Sequence, residues 1–372
     1  MPFLGPLLKK MHKIIYVGGD NMNIHPFVGV CVGETAETIH DPNFKLLHIR
    51  LNSYNGKPVN FIKFTLDKLD LRNKSVTGDL WVEEDPELPW KAGVYPLPQV
   101  IFMQCRFGKK SLEPFINKGI TIFNSVFFDK IDNINFFAAH PELSPYAPET
   151  KLINDSSEIE EFLFKREKAF LKPVNGFSGR GIVYIEKTGD GTIKANYHLN
   201  TRSEEAFFSN FPELWKWINE SYFQDRYVIQ ECIDSIRKRG MPTDIRLNMN
   251  RNEKGEWEVI RLFGRMALNG THMGSKKGIH FFPSTLSSIL SERLTKKAIE
   301  NIEQKLIELG YTICNCFEKD NEHMADLGID FMIDQHKRIW LIEINTFPSP
   351  AGNDPSVTLP LEYARFIATG TP

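Results

Sequence analysis

Residues 327–345 constrain the chain most. Ile329, Phe331 and Ile333 alternate with Asp330, Met332 and Asp334, the period-two pattern of a strand. Gln335, His336, Lys337 and Arg338 read as a polar turn, and Ile339-Trp340-Leu341-Ile342-Glu343-Ile344-Asn345 as the returning strand. A turn that sets Asp334 opposite Ile339 sets Met332 opposite Leu341 and Asp330 opposite Glu343, with Asn345 on the face of Glu343. The Cβ atoms of the two acids then stand roughly 5 Å apart. Their charges repel by about 3 kcal/mol at an effective dielectric of about 20. A divalent cation offsets that repulsion, and Asp, Glu and an Asn amide supply the hard oxygens that Mg²⁺ takes. The alternative is a solvent-facing strand surface, with unpaired acids or one acid protonated. A loop one residue longer or shorter would break the register.

A second cluster carries the opposite charge. Gly176, Gly179 and Gly181 lie in Lys172-Pro173-Val174-Asn175-Gly176-Phe177-Ser178-Gly179-Arg180-Gly181-Ile182. Three glycines let a backbone approach an anion and turn N–H groups toward it, and Ser178 adds a hydroxyl donor. Residues 170–174 and 182–186 read as strands, so the loop joins strands and does not open a helix as Walker and Rossmann loops do. An adaptable hairpin turn is the rival reading. Lys172 shares a strand face with Phe170 and Val174, where a cation calls for an anion unless it snorkels from a sheet edge. Asp244 and Arg246 share a face of one strand and Arg265 lies in the next. The two arginines form either a phosphoryl clamp or part of a cross-strand Asp–Arg pair.

The rest of the chain is globular in composition: 372 residues, 41% hydrophobic and 25% charged, enough for two or three subdomains. A net charge of -2 supplies no field for nucleic acid or an anionic membrane, and no apolar run is long enough for membrane insertion. The first eleven residues lack the order of a signal peptide. Five scattered cysteines (Cys31, Cys105, Cys232, Cys314, Cys316) suggest free thiols in a reducing, cytoplasmic setting. Cys314-x-Cys316 reads as buried structure rather than a metal site.

Strands at 98–104 and 120–123, with a helix at 111–118 closed by Gly119, suggest a parallel sheet. Residues 52–98, rich in Pro, Gly and charge, resist placement. A helix is expected from near Asp129 to before Pro141, and another behind a Ser157-x-x-Glu160 capping box. A strand is expected at 227–230, and a hairpin pairs 245–249 with 257–266. Leu290, Leu294, Ala298, Ile302, Leu306 and Leu309 follow helical spacing, with Gly310 as the stop.

In this order the segments resemble the ATP-grasp superfamily, most of all the YheC/YheD endospore coat-associated family. The resemblance spans about residues 95–352. It is carried by Phe123-Asn124-Ser125-Val126-Phe127-Phe128-Asp129-Lys130, Pro148-Glu149-Thr150, residues 170–182, Val228-Ile229-Gln230-Glu231-Cys232-Ile233, Asp244-Ile245-Arg246 and Gly264-Arg265-Met266-Ala267. Leu327-Gly328-Ile329-Asp330 and Trp340-Leu341-Ile342-Glu343-Ile344-Asn345 complete the set.

The fold this implies is mixed α/β and α+β. It has a preATP-grasp-like domain at 1–125, a central lobe with the glycine-rich flap at 126–228, and a C-terminal lobe with the Mg²⁺ and ATP site at 229–372. By resemblance, Lys130 and Lys172 contact ATP phosphates beneath a flap containing Asn175, Gly176, Ser178, Gly179 and Gly181. Gln230, Glu231 and Ile233 form the adenine-binding linker. Asp330, Glu343 and Asn345 hold Mg²⁺, with Mn²⁺ as a substitute, and Arg246 and Arg265 orient the γ-phosphate and an acyl phosphate. The implied activity is ATP-dependent ligation of a small-molecule carboxylate to an amine, such as an amino acid or peptide. The product would be a spore-coat, cell-envelope or peptide metabolite component. A non-catalytic ATP-binding coat-assembly protein and an ATP-grasp kinase are the alternatives. One departure concerns the acceptor: residues 269–278 carry Lys276 and Lys277 where related ligases often have Asn and a Gly-Gly pair. That favours either an anionic substrate or a merely solvated loop.

Overall fold

The computed structural model describes residues 25–38, 41–82, 89–105, 107, 111–176, 179–199, 202–222, 225–266, 284–348, 350 and 354–370. Two compact units emerge. One comprises Met1–Ser125, Asn252–Glu256 and Val357–Pro372; the other comprises Val126–Arg251 and Trp257–Ser356. No described helix is long and apolar enough to cross a membrane.

The first unit is built on a seven-stranded sheet. After β1 (Phe27–Gly33) come α1 (Asp41–Ser53), β2 (Asn60–Thr65), β3 (Leu69–Asp70), β4 (Ser75–Trp81), β5 (Trp90–Pro96), β6 (Val100–Met103), α2 (Glu113–Ile116) and β7 (Thr121–Phe123). The run β2-β1-β6-β7 is parallel, as the alternation around residues 98–123 suggests, and Gly119 leaves α2 at φ +80°. The unplaced stretch 52–98 supplies the antiparallel strands β3, β4 and β5. Its glycines mislead because they serve close packing. A Cβ on Gly78 would lie 2.5 Å from the Lys63 carbonyl oxygen, so the strand needs a residue with low strand propensity there.

In the second unit α3 (Lys130–Ala139) is followed by β8 (Thr150–Ile153), α4 (Ser156–Arg166), β9 (Lys168–Pro173), β10 (Val183–Lys187), β11 (Ile193–Leu199), β12 (Arg202–Phe208), α5 (Phe211–Trp217) and β13 (Tyr227–Glu231). The strands form one antiparallel sheet in the order β12-β11-β10-β9-β13-β8. Ile159, Phe162, Leu163 and Leu214 pack its core with Leu171, Ile185 and Ile229. The cap of α4 differs from expectation. Asp155, not Ser157, accepts from the Ser157 and Glu158 N–H groups, while Glu158 accepts from Asn154 N. The N-cap lies two residues earlier than expected, and because Glu158 bonds Asn154 N and not the N–H of Asp155, the reciprocal pair of a capping box is not completed.

A second sheet holds β14 (Arg237–Lys238), β15 (Met241–Arg251), β16 (Trp257–Met266), β17 (Asp326–Ile333) and β18 (Ile339–Asn345), in the order β14-β15-β17-β18 with β16 on β15. Helices α6 (Leu286–Leu290) and α7 (Lys296–Lys319) cover it. Gly310 does not stop α7, which runs on to Lys319. A Cβ there would stand 2.5 Å from Leu247 Cδ2 and 3.1 Å from Met249 Sδ, so the glycine lets the helix lie close on the sheet. The closing helix α8 (Leu359–Thr369) packs on β1 and β6 of the first unit.

The β17–β18 hairpin corrects the sequence register near its tip. Ile333, not Asp334, lies opposite Ile339, and Met332 lies opposite Trp340. The Asp334 carboxylate accepts from His336 N and Arg338 N at 2.9 Å each, and Lys337 sits at φ +69°. The turn is therefore one residue longer than the sequence suggests, running from Asp334 to Arg338. A bulge between Asp330 and Phe331 on one strand, with Ile342 as the extra residue on the other, restores the phase. Asp330 lies opposite Glu343 after all.

Candidate functional site

The glycine-rich loop leaves β9 at Val174 and is tied down at several points. Asn175 N and Nδ2 donate to the Asp225 carboxylate at 2.9 and 3.2 Å. Lys130 Nζ donates to the Gly176 carbonyl at 2.7 Å, and Tyr227 Oη donates to the Gly181 carbonyl at 3.2 Å. Gly179 and Gly181 adopt φ +73° and +76°, a conformation strained for side-chain-bearing residues. A Cβ on Gly176 would crowd Pro173 and stand 3.1 Å from the Arg180 carbonyl oxygen. Ser178 lies outside the described residues, as do Lys276, Lys277 and the whole 269–278 loop.

Lys130 opens α3, whose first turn is fixed by Asp129: its carboxylate accepts from Ile131 N and Asp132 N. One turn on, Asn133 Oδ1 accepts from Ile344 N at 2.7 Å, while its Nδ2 donates to Asp129 O at 3.0 Å and to Ile344 O at 3.3 Å. This buried amide fastens α3 to the strand that carries Glu343. Lys172, from β9, donates to Gln230 Oε1 at 2.5 Å, and Gln230 Nε2 donates to Thr150 Oγ1 at 3.0 Å. Burial pushes the Lys172 ammonium down to about 8; Glu343 resists that shift and Lys130 adds to it.

A cavity of about 230 Å³ brings these groups together. Its apolar wall includes Ile134, Phe137, Val228 and Ile342, and Lys130, Lys172, Gln230 and Glu343 supply its polar groups. The bulge explains how consecutive residues Ile342 and Glu343 both reach the lining. Glu231 and Ile233 continue past Gln230; Arg166 bridges Glu231 at 3.2 Å and Glu149 at 2.7 Å, bracing that strand end.

Across the sheet, the acids and arginines form one network. Asp330 Oδ1 accepts from Arg246 Nε and Arg265 Nη2 at 2.8 Å each, and its Oδ2 accepts from Asn345 Nδ2 at 3.1 Å. Arg265 also clasps Asp244 at 2.5 and 2.7 Å. Burial works against the Arg265 charge, but Asp330 and Asp244 outweigh it and hold the guanidinium above its ordinary pKa. The cross-strand Asp–Arg pair is therefore present. It changes the electrostatic argument, since the arginines already offset the Asp330 charge without a metal.

Asp330, Glu343 and Asn345 nevertheless fit Mg²⁺. All three offer hard oxygens, Asp330 and Glu343 are directly opposed, and Asn345 already touches Asp330. Among the described residues, no hydrogen bond or ion pair occupies the Glu343 carboxylate. Sequence reasoning missed Asn133, Thr150 and Asp225. Asn133 left a signal as a polar residue on the helix face of Phe136 and Phe137, and Thr150 stood in the Pro148-Glu149-Thr150 segment without a role assigned to it.

Comparison with known proteins follows this geometry. The family model for YheC/D like ATP-grasp matches residues 119–367. The endospore coat-associated protein YheC of Bacillus subtilis (strain 168) is 25% identical over 338 residues, covering 83% of this chain and 88% of that protein. Endospore coat-associated protein YheD of the same organism is 25% identical over 281 residues, covering 70% of this chain but 58% of that protein. Among solved structures, D-alanyl-alanine synthetase A from Vibrio cholerae aligns with a TM-score of 0.53 at 14% identity, over 92% of this chain and 98% of that one. VanG D-Ala:D-Ser ligase from Enterococcus faecalis gives 0.52 at 13%, with the same coverages. At such identities the likeness concerns the fold, which is that of ATP-grasp proteins with an N-terminal preATP-grasp-like domain.

Proposed function

Since the chain belongs to the YheC/D-like ATP-grasp family, we propose that it uses Mg²⁺-ATP to activate a small-molecule carboxylate as an acyl phosphate and joins it to an amine. One observation carries this reading. Two lysines from separate elements and the acid opposite Asp330 line a single partly apolar cavity. A cavity of this kind suits a heterocyclic base against its apolar wall, with phosphates toward Lys130 and Lys172.

In this reading Asp330, Glu343 and Asn345 hold Mg²⁺, which when bound supplies neutralisation of phosphoryl charge. Lys130 and Lys172 bind the phosphate tail. The loop from Asn175 to Gly181 covers it and excludes water from a hydrolysable acyl phosphate. Gln230, Glu231 and Ile233 receive the base largely through backbone groups. Arg246 and Arg265, held in place by Asp330 and Asp244, orient the transferred phosphoryl group. Residues 1–125 serve acceptor binding, and the lobes 126–228 and 229–372 supply the flap and the metal site. The setting is the cytoplasm, with coat association as the names of YheC and YheD suggest.

A second reading, nucleotide binding without ligation, is favoured by the hydrogen bonds that both arginines already give to Asp330. The test is a panel of amino acids and dipeptides supplied with Mg²⁺-ATP. Ligation gives ADP and phosphate together, only when carboxylate and amine are both present. ADP without phosphate identifies a kinase. Binding without turnover across the panel supports the second reading, and failure to bind Mg²⁺-ATP sinks all three.

A further inference from the structure

A separate cluster of side chains gathers where the end of α3 meets the last turn of α7. His140 caps α3 with a side chain only 8% exposed, and its Nε2 lies 3.0 Å from Asp320 Oδ2. Cys316, fully buried, donates its thiol to Glu142 Oε1 at 3.5 Å. Lys319 Nζ reaches the same oxygen at 2.8 Å from a largely exposed position. A ring nitrogen of His140, a carboxylate oxygen of Glu142 and Cys316 Sγ all lie within 4.8 Å of one another. Phe136 and Phe317 wall the cluster on one side, with the Phe136 ring 4.6 Å from both the imidazole and the Phe317 ring. The ligase chemistry uses none of these groups.

Nitrogen, sulfur and oxygen donors together select a borderline-soft ion, since Mg²⁺ and Ca²⁺ prefer all-oxygen sets. Asp320, at His140 Nε2, is a carboxylate partner of the kind that orients a metal-binding histidine, and it leaves Nδ1 to serve as the ligand. Charge points the same way. Glu142, Asp320 and Lys319 together carry one net negative formal charge beside the Cys316 thiol. Adding a divalent ion and releasing the thiol proton to solvent brings the cluster to neutrality. Zinc bonds of about 2.0–2.3 Å put tetrahedral ligands about 3.5 Å apart. Glu142, on the turn after α3 and partly exposed, can supply the small closing movement.

We propose that His140, Glu142 and Cys316 bind Zn²⁺, with a solvent molecule as fourth ligand, fastening the end of α3 to the last turn of α7. The test uses the full chain, freed of metal, titrated with Co²⁺ in excess Mg²⁺. Excess Mg²⁺ fills oxygen-donor sites without competing for a thiolate, so the result is independent of the ligase reading. One equivalent of Co²⁺ should give a thiolate-to-cobalt band and the visible bands of a four-coordinate ion. Cys316→Ser should abolish the thiolate band. Cys314→Ser should keep it, because that equally buried thiol is not among the three donors. Glu142→Gln, at a partly exposed position where misfolding is least expected, should weaken binding at least about tenfold.

No thiolate band at saturating Co²⁺ overturns the site and leaves the cluster a hydrogen-bonded tether between helices. A band that survives Cys316→Ser, one lost in Cys314→Ser, or unchanged affinity in Glu142→Gln overturns it equally.

Discussion

On one flank of the candidate site, where β15, β16 and β17 meet, Asp244, Arg246, Arg265 and Asp330 each have an opposite charge as immediate partner: Asp330 receives Arg246 and Arg265, and Arg265 also clasps Asp244. Along the other flank, the cavity wall formed by the start of α3 and by β9 and β13, the two cations instead donate to neutral oxygens, Lys172 to the Gln230 amide and Lys130 to the Gly176 carbonyl. The first flank is electrically closed before any ligand arrives and its cost of ordering is met on folding. The second keeps its positive charge largely uncompensated in a partly dry cavity, where an arriving polyanion gains most. Arginine suits the first role through its rigid fork, and lysine suits the second as a point charge whose protonation responds to burial.

Four comparisons bear on this contrast. The largest effect is expected for Arg265→Leu, which leaves Asp244 and Asp330 buried without their shared partner. It should lower unfolding free energy by about 3–5 kcal/mol in denaturant titration. Lys172→Met should leave stability unchanged or raised, and an equal loss at both positions would erase the distinction between the flanks. Next comes Glu343→Gln, which should weaken the Mg²⁺-dependent part of ATP affinity on the order of 10–100-fold with the fold intact by circular dichroism. Full affinity in that variant removes Glu343 from the metal site.

The third is a pH effect. Burial holds Lys172 at about 8, below its ordinary 10.5, so ATP affinity should be level below pH 8 and decline above it. That step should vanish in Lys172→Met. Stability moves the other way. Between about 8 and 10.5 the unfolded chain binds the lysine proton more readily than the folded one, so this residue's contribution rises with pH across that window. The smallest effect belongs to Asp225→Ala, which frees Asn175 from both its bonds. A stability loss of no more than about 1 kcal/mol should accompany a few-fold loss of nucleotide affinity. No change in affinity would mean that the loop needs no anchor.

The alternation in β17 and β18 identified the hairpin and its acids, because period-two burial is written directly in residue type. The tip was misread because the Asp334 carboxylate, bonded back to its own turn, draws that residue out of the ladder and lengthens the loop by one, and side-chain-to-backbone bonding of that kind has no period. The bulge at Ile342 cancelled the error. The acid pairing was therefore foreseen on an incorrect register. Gly310 was misread, and the stretch around Gly78 resisted placement, for a common reason. Glycine signals both chain breaks and close packing, and only the neighbour, Leu247 or the Lys63 carbonyl, tells them apart. Asn133 and Asp225 escaped because their partners, Ile344 and Asn175, are remote in sequence.

Asn133 has a mechanical consequence. Its amide grips both the main chain of β18 and the start of its own helix, so Lys130 and Glu343 travel as one rigid body. Any breathing motion that admits or expels a nucleotide must then flex elsewhere, between this body and the strands carrying Thr150, Lys172 and Gln230. The joint would be the contact of Lys130 with the loop after β9, where its Nζ meets the Gly176 carbonyl and its N the Val174 carbonyl, two hydrogen bonds that can break and re-form without disturbing the acid pair.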